Sequence, residues 1–164
     1  HLGEFVNRFH KGSLVMQPVG DASGDGEKDL PPSVVGEPVL FGAVSGMIGA
    51  IFTLTPEAYM FFHHLQWALT RVIQGVGGLQ HNLWRSYTSH RRQARARNFI
   101  DGDLVESFLD LPREKMDEVL QFMKEGPPAS QSDDVITRTG ASNSSEELTV
   151  DRVCRRVEEM TRMH

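Results

Sequence analysis

The spacing of apolar positions changes period once along the chain, from a strand-like pattern to a helix-like one. From Glu4 to Pro18 the reading is extended, with Phe5, Val6, Phe9, Leu14, Val15 and Met16 favouring strand and Lys11-Gly12 a turn. Residues 19–37 are rich in Gly, Pro and acids and predict a flexible surface loop. Residues 38–54, PVLFGAVSGMIGAIFTL, predict two short strands meeting at a tight hairpin at Ser45-Gly46. Neither alternates cleanly with polar residues, so both are expected to be buried on two faces. A three-stranded piece cannot close on itself, and its apolar edges are expected to need partners from outside the chain.

The helical period begins at Thr55-Pro56-Glu57. Thr55 can cap free N–H groups, Pro56 suits a first turn, and Glu57 favours the positive end of the helix dipole. Ala58, Phe61, Phe62, Leu65, Leu69, Val72 and Ile73 then form a wide stripe on a central helix running to about Gln74, which Gly75, Gly77 and Gly78 stop. A short helix is predicted from Leu79 to Tyr87 with Leu83, Trp84 and Tyr87 inward. Asp101-Gly102-Asp103 opens another, with Leu104, Val105, Phe108 and Leu109 apolar. Pro112 starts a fourth, carrying Met116, Val119, Leu120 and Met123. Residues 126–146 predict a second loop, and Thr149 caps a last helix striped by Val150, Val153, Cys154, Val157 and Met160.

Composition narrows the chemistry. The net charge of −5 disfavours a strongly basic nucleic-acid binder. One cysteine, Cys154, allows no internal disulfide and no multi-cysteine zinc site, and its place on an apolar stripe suits core filling. No apolar run reaches the ~18–20 residues of a membrane helix. With His1 in place of an initiator Met, the chain is expected to be an excerpt of a longer one.

Candidate chemistry is sparse. Asp101, Asp103 and Glu106 could hold a metal, but without EF-hand spacing capping is the stronger reading for Asp101 and Asp103. His63 and His64 are adjacent, not three or four apart as helix-borne zinc ligands are, and His81 and His90 have no evident partner in the sequence. Arg85, Arg91, Arg92, Arg95 and Arg97 form one basic stretch, read as a solvated segment pairing with nearby carboxylates in preference to a phosphate-binding strip. Gly75-Val76-Gly77-Gly78 lacks the Lys-Ser/Thr of a phosphate loop. No nucleophile, base and orienting group assemble, so an interaction module outranks an enzyme. Phe5-Val6-Asn7 suits an interface: on a regular strand Phe5 and Asn7 share a face, an aromatic anchor beside an orienting amide. A propeller or barrel core edge is the competing reading.

The segments HLGEFVNRF, GSLVMQ, VLFGAVSGMIG, LWRS, FIDGDLVESFLDL and EEMTRMH together resemble the three-propeller family of the large subunit of the damaged-DNA-binding protein, the adaptor of cullin-4–RING ubiquitin ligases. The resemblance spans the chain outside its two low-complexity loops. The DGD-containing segment is shared with splicing-factor and polyadenylation-factor relatives, whereas GEFVN and GMIG favour the ligase adaptor. It implies a mixed fold: residues 1–54 as the last strands of the third seven-bladed β-propeller, and 55–164 as a carboxyl-terminal helical domain packed between the first and third propellers. It implies WD40-type substrate receptors as partners, cullin-4 bound by a middle propeller outside this chain, nucleic acid reached indirectly through receptors, no membrane, no cofactor, and residence in nucleus and cytoplasm. Receptor contacts carry over to Phe5, Asn7 and Val44, whose motifs match. Arg8 stands where the family usually has an apolar residue, which puts a contact there in doubt. The resemblance leaves Thr55, Asp101, Asp103 and Thr149 as structural caps. The rival is a scaffold of a splicing or polyadenylation complex in the same family. Direct DNA binding through the 85–97 arginines ranks below both.

Overall fold

The computed structural model describes residues 2–14, 33–88, 90–91, 93–94, 98–127 and 148–162. Strands come first and helices follow. β1 (Val6–Lys11), β2 (Val39–Ala43) and β3 (Ile48–Ile51) form an antiparallel sheet in the order β1-β2-β3. The hairpin between β2 and β3 closes through Ala43 N–H to Met47 O at 2.8 Å, and Gly46 completes the turn at φ 92°. Phe41 in the middle strand is buried, and its ring lies over Gly49 of β3, where an added Cβ would sit 2.3 Å from Cζ. Phe9 is directly opposite Phe41, with ring centroids 6.3 Å apart.

The sheet is less covered than its sequence predicts. Of β2 and β3 only Phe41 is buried, and Ile48 is exposed. Burial on both faces is therefore corrected: the helices gather around a core of their own and leave most of the sheet uncovered. The 19–37 loop reading is also amended at its end. Val34 is buried and bridges Leu54, and Val35 N–H donates to Thr53 O at 2.8 Å. Residues 15–32 lie outside the described set, Val15 and Met16 among them.

The helical unit is built on α1 (Pro56–Val72). Thr55 Oγ1 accepts from Ala58 N–H at 3.3 Å, Pro56 supplies a fixed φ at the first position, and Glu57 lies in the first turn. The helix ends two residues before the predicted stop, with Ile73 already extended. A 3₁₀ turn (Val76–Gly78) leads to α2 (His81–Trp84), a single turn followed by a two-residue pair, β4 (Tyr87–Thr88) with β5 (Gln93–Ala94). The predicted helix from Leu79 to Tyr87 is thus mostly absent. Leu83 and Trp84 are partly exposed, because one turn has no inner face long enough to bury both.

α3 (Gly102–Glu106) tightens into a 3₁₀ turn (Ser107–Asp110), and α4 (Arg113–Glu125) follows. Pro112 stands at the cap position, one residue before its predicted first-turn place. α5 (Val150–Thr161) is capped by Thr149, whose hydroxyl accepts from Arg152 N–H at 3.4 Å. α1 packs on α4 and α3, and α5 on α3, α4 and the 3₁₀ turn. Phe62, Leu65, Leu69, Phe108, Val119, Val153 and Val157 are fully enclosed.

This division of burial predicts a division of cost. Phe108→Ala should destabilise the helical unit by roughly 3–5 kcal/mol, the range for removing a buried aromatic ring. Phe9→Ala, at an exposed sheet position, should change stability by less than roughly 1 kcal/mol. Urea midpoints of the two variants measure the difference.

Candidate functional site

The residues nominated from sequence fall at two adjoining places, the hairpin end of the sheet and a cleft beside it. At the sheet, Phe5 immediately precedes β1 and is 79% exposed. Its carbonyl accepts from Val44 N–H at 3.0 Å, and Val44 is 70% exposed. Two residues far apart in sequence are thereby joined by their backbones while both side chains face outward. Ile48, also exposed, opens β3 at the same end.

Asn7 behaves differently from a regular strand residue. Val6 opposes Ala43 and Arg8 opposes Gly42, so Asn7 is the extra residue of a β-bulge. Adjacent residues of β2 point to opposite faces, which puts Val6 and Arg8 on opposite faces although they are two apart. Alternation across Asn7 therefore fails, and its direction is set by the bulge instead of by a regular strand. Because Arg8 follows the face of Gly42, and Val44 lies two residues on from Gly42, the register puts Arg8 on the side of Phe5 and Val44. Asn7 and Arg8 are both exposed.

The second place is a cleft of about 520 Å³ between the sheet's leading segment and the helical unit, lined among others by Gly3, Met47, His81, Trp84, Arg85 and Asp101. Its floor is a carboxylate clasp that sequence reasoning missed. Arg85 donates to Asp101 side-on, through Nε to Oδ2 at 2.5 Å and Nη2 to Oδ1 at 2.8 Å. His81 Nε2 meets the same Oδ2 at 2.7 Å, so its proton sits on Nε2. The Asp101 main-chain N–H donates to Gln66 Oε1 on α1 at 2.7 Å. One residue ties α1, α2 and α3 together.

Asp101 does occupy the cap position of α3, but its carboxylate makes no cap hydrogen bond. The capping expectation is corrected: a guanidinium and an imidazole together outbid neutral N–H groups for the two oxygens. Burial alone would push the Asp101 carboxyl up. The hydrogen bonds from His81 and Arg85, with their charge, outweigh it and hold the group far below the usual carboxylate range. The same hydrogen bond to Asp101 raises Arg85. Asp103 is solvent-exposed, makes no cap bond of its own, and reaches Arg85 only at 3.3 Å, a contact of little weight.

The remaining candidates stay apart from this site. His63 stacks on Tyr59 with centroids 5.7 Å apart, and burial, helped by His63, pushes His64 below the ordinary histidine value. Burial raises the Cys154 thiol, with Glu158 and Asp151 adding to it, so a reactive thiolate is disfavoured there. His90 and Arg91 are exposed, and Arg92, Arg95 and Arg97 lie outside the described residues. Among the described residues no three His, Cys, Asp or Glu side chains gather to hold a metal ion, and no helix is long and apolar enough to cross a membrane.

The clasp fixes a pH dependence. A carboxyl whose folded pKa is depressed adds stability above its unfolded value, about 3.9, and that stability is lost as pH falls toward the folded value. Asp101→Asn should therefore be less stable than the parent near neutral pH, and the margin should shrink as pH falls below about 4. Urea unfolding of both proteins from about pH 7 to about pH 3 is the check; a margin that does not shrink below about pH 4 contradicts the assignment.

Comparison with known proteins follows the same geography. The sequence profile described as "CPSF A subunit region" matches residues 1–110, which contain the sheet, α1 and the whole clasp. The chain is 44% identical over its full length to DNA damage-binding protein 1a of Arabidopsis thaliana. It is 42% identical over its full length to DNA damage-binding protein 1 of both Solanum lycopersicum and Oryza sativa subsp. japonica. It spans 12% of the length of each of these relatives. With the profile covering most of the chain and the similarity running from one end to the other, the chain belongs to the CPSF A subunit region family, as a fragment similar to the large subunit of the damaged-DNA-binding protein.

Proposed function

We propose that the chain is a segment of a non-catalytic adaptor of a cullin-4–RING ubiquitin ligase and helps to form the cavity where WD40-type substrate receptors dock. The observation that carries this reading is the outward-facing apolar end of the sheet, where Phe5 and Val44 are pinned to each other by a main-chain hydrogen bond and left uncovered by any described segment. A rigid aromatic anchor rimmed by polar Asn7 and charged Arg8 is the composition of a protein-docking hot spot. Similarity to proteins named for binding damaged DNA supports a place in DNA repair.

In this reading residues 1–54 are the closing strands of a seven-bladed propeller, and neighbouring blades outside the chain pair with the free edges of β1 and β3. Residues 55–164 are a helical domain beside it. Cullin-4 binds a middle propeller outside the chain, nucleic acid is reached through the receptors, and the assembly works in nucleus and cytoplasm. The protein's contribution is proximity: a docked receptor holds its substrate at high effective concentration near the charged conjugating enzyme.

The family profile favours a second reading, a scaffold subunit of a splicing or polyadenylation complex. Affinity purification of the full-length protein separates the two. Cullin-4, its RING partner and WD40 proteins are expected to co-purify, and RNA-processing factors without a cullin would establish the second reading instead. Within the first, Phe5→Ala combined with Asn7→Ala should weaken receptor capture by at least roughly tenfold, the scale of a hot-spot truncation, while cullin-4 binding is kept. Equal loss of both partners would point to misfolding and remove the docking assignment.

A further inference from the structure

Two features of the cleft have no role in the docking reading as it stands: the placement of Trp84 and the convergence of three elements on Asp101. Trp84 is the last residue of α2, and its neighbour Arg85 is the residue that grips Asp101. The Trp84 indole occupies the space beside Gly3 where a side chain would begin. A Cβ built on Gly3 would sit 2.9 Å from both Cζ2 and Cη2 of that ring, and Gly3 has φ +77°. Only glycine suits this position on both counts. Gly3 is two residues before Phe5. The Arg85 guanidinium, held by the Asp101 carboxylate, sits 5.7 Å from the Trp84 ring centroid.

A continuous physical path therefore runs from the helical core to the exposed anchor. Gln66 of α1 holds the Asp101 backbone, Asp101 holds His81 and Arg85 at the two ends of α2, α2 presents Trp84, and Trp84 backs Gly3. Among the described residues Leu2, Glu4 and Phe5 are exposed, and β1 after them is an exposed edge strand. If such a segment had to be ordered at the moment of binding, that ordering would subtract from affinity.

We infer that Asp101, Arg85, His81 and Trp84 form a joint that fixes the leading segment against the helical unit, so that Phe5 is presented to a partner already ordered. The inference rests on the docking reading of Phe5. None of the four touches the partner; they are positioning residues. Trp84 is the working face of the joint and Asp101 its anchor. The joint contributes by preorganisation, so its loss leaves the helical core and the Phe5 side chain in place and changes only how often Phe5 is where it is needed.

Hydrogen exchange on the full-length protein, with receptor capture measured in parallel, tests this. Trp84→Ala is expected to raise amide exchange in residues 4–11 by about tenfold or more, with exchange in residues 62–69 of α1 unchanged; Asp101→Asn, which also lowers overall stability, is expected to raise exchange in 4–11 by more than in 62–69. Receptor capture should weaken several-fold in both, and cullin-4 binding should stay. Trp84→Phe, which keeps an aromatic face for Gly3, should restore most of both signals. Exchange that stays at its parent value in 4–11, or rises equally in α1, overturns the joint as a localised device. A localised rise with undiminished capture overturns its role in docking. Phe5→Ala separates the inference from its premise: it should lose capture with no rise in exchange. Capture retained in that variant rejects the docking reading, and the joint then stands or falls on the exchange pattern alone.

Discussion

The apolar stripe of α1 can leave water only if several helices close over it together, and the arrangement of the second half of the chain follows from that requirement. Ala58, Phe62, Leu65, Ala68 and Leu69 are all buried along a helix of 17 residues. Such a width cannot be covered by one neighbour. α4 lies along one side, α3 and its 3₁₀ extension cross another, and α5 seals the remaining gap by packing on those two. The tight 3₁₀ turn at 107–110 lets the chain pass from α3 to α4 with Phe108 fully enclosed between them. At the rim, Arg156 of α5 lies over the Phe61 ring at 4.7 Å, a cation held on the aromatic edge of the stripe.

The sheet obeys a different constraint. Among the described residues no helix packs across its faces, Phe41 is its one well-buried side chain, and its inner backbone is satisfied by hairpin and ladder bonds. Its outer strand β1 carries Arg8, His10 and Lys11, polar side chains that discourage edge-to-edge pairing with a wrong partner. What connects so lightly packed a sheet to so heavily packed a helical unit is the Trp84 ring against Gly3, and the neighbour of that tryptophan is held by a short polar clasp within the helical unit. An Arg–carboxylate pair with two parallel bonds fixes direction as well as distance, which an apolar contact of the same area does not.

Legibility in the sequence tracked the range of the interaction. Thr55 and Thr149 bond to groups three residues away, and the core stripes of α1, α4 and α5 repeat every turn, so each was visible in a short window. The hairpin at Ser45-Gly46 was visible for the same reason. The clasp was not: His81, Arg85 and Gln66 stand 20, 16 and 35 residues from Asp101, and no periodicity links them. A helix start with an acidic residue was the only local signal, and it pointed to capping. The bulge at Asn7 was invisible because it is set by register against β2, not by anything in the local run. α2 was overdrawn because three apolar residues, Leu83, Trp84 and Tyr87, fit a helical spacing that the chain abandons after one turn. The exposure of Ile48 was missed because an apolar residue reads as core unless something says what would cover it.

The region shared with the family ends at residue 110, inside the last turn of the 3₁₀ segment, yet the core does not end there. Val119, Leu120 and Met123 of α4, and Val150, Val153 and Val157 of α5, belong to the same cluster as Phe62, Leu65, Leu69, Val105 and Phe108. The stretch 1–110 alone would strip α1 of α4, one of the two helices packed on it, and open part of its apolar stripe to water. The physical unit is therefore larger than the recognisable one, in keeping with the relatives' similarity across the whole chain. α4 and α5 carry no candidate site residue that touches the cleft, but they hold α1 rigid, and α1 through Gln66 is where the Asp101 backbone is fixed. A docking segment on a lightly packed sheet can be preorganised only by reference to something that does not move. Here that reference is a helix whose burial depends on α4 and α5, far along the chain.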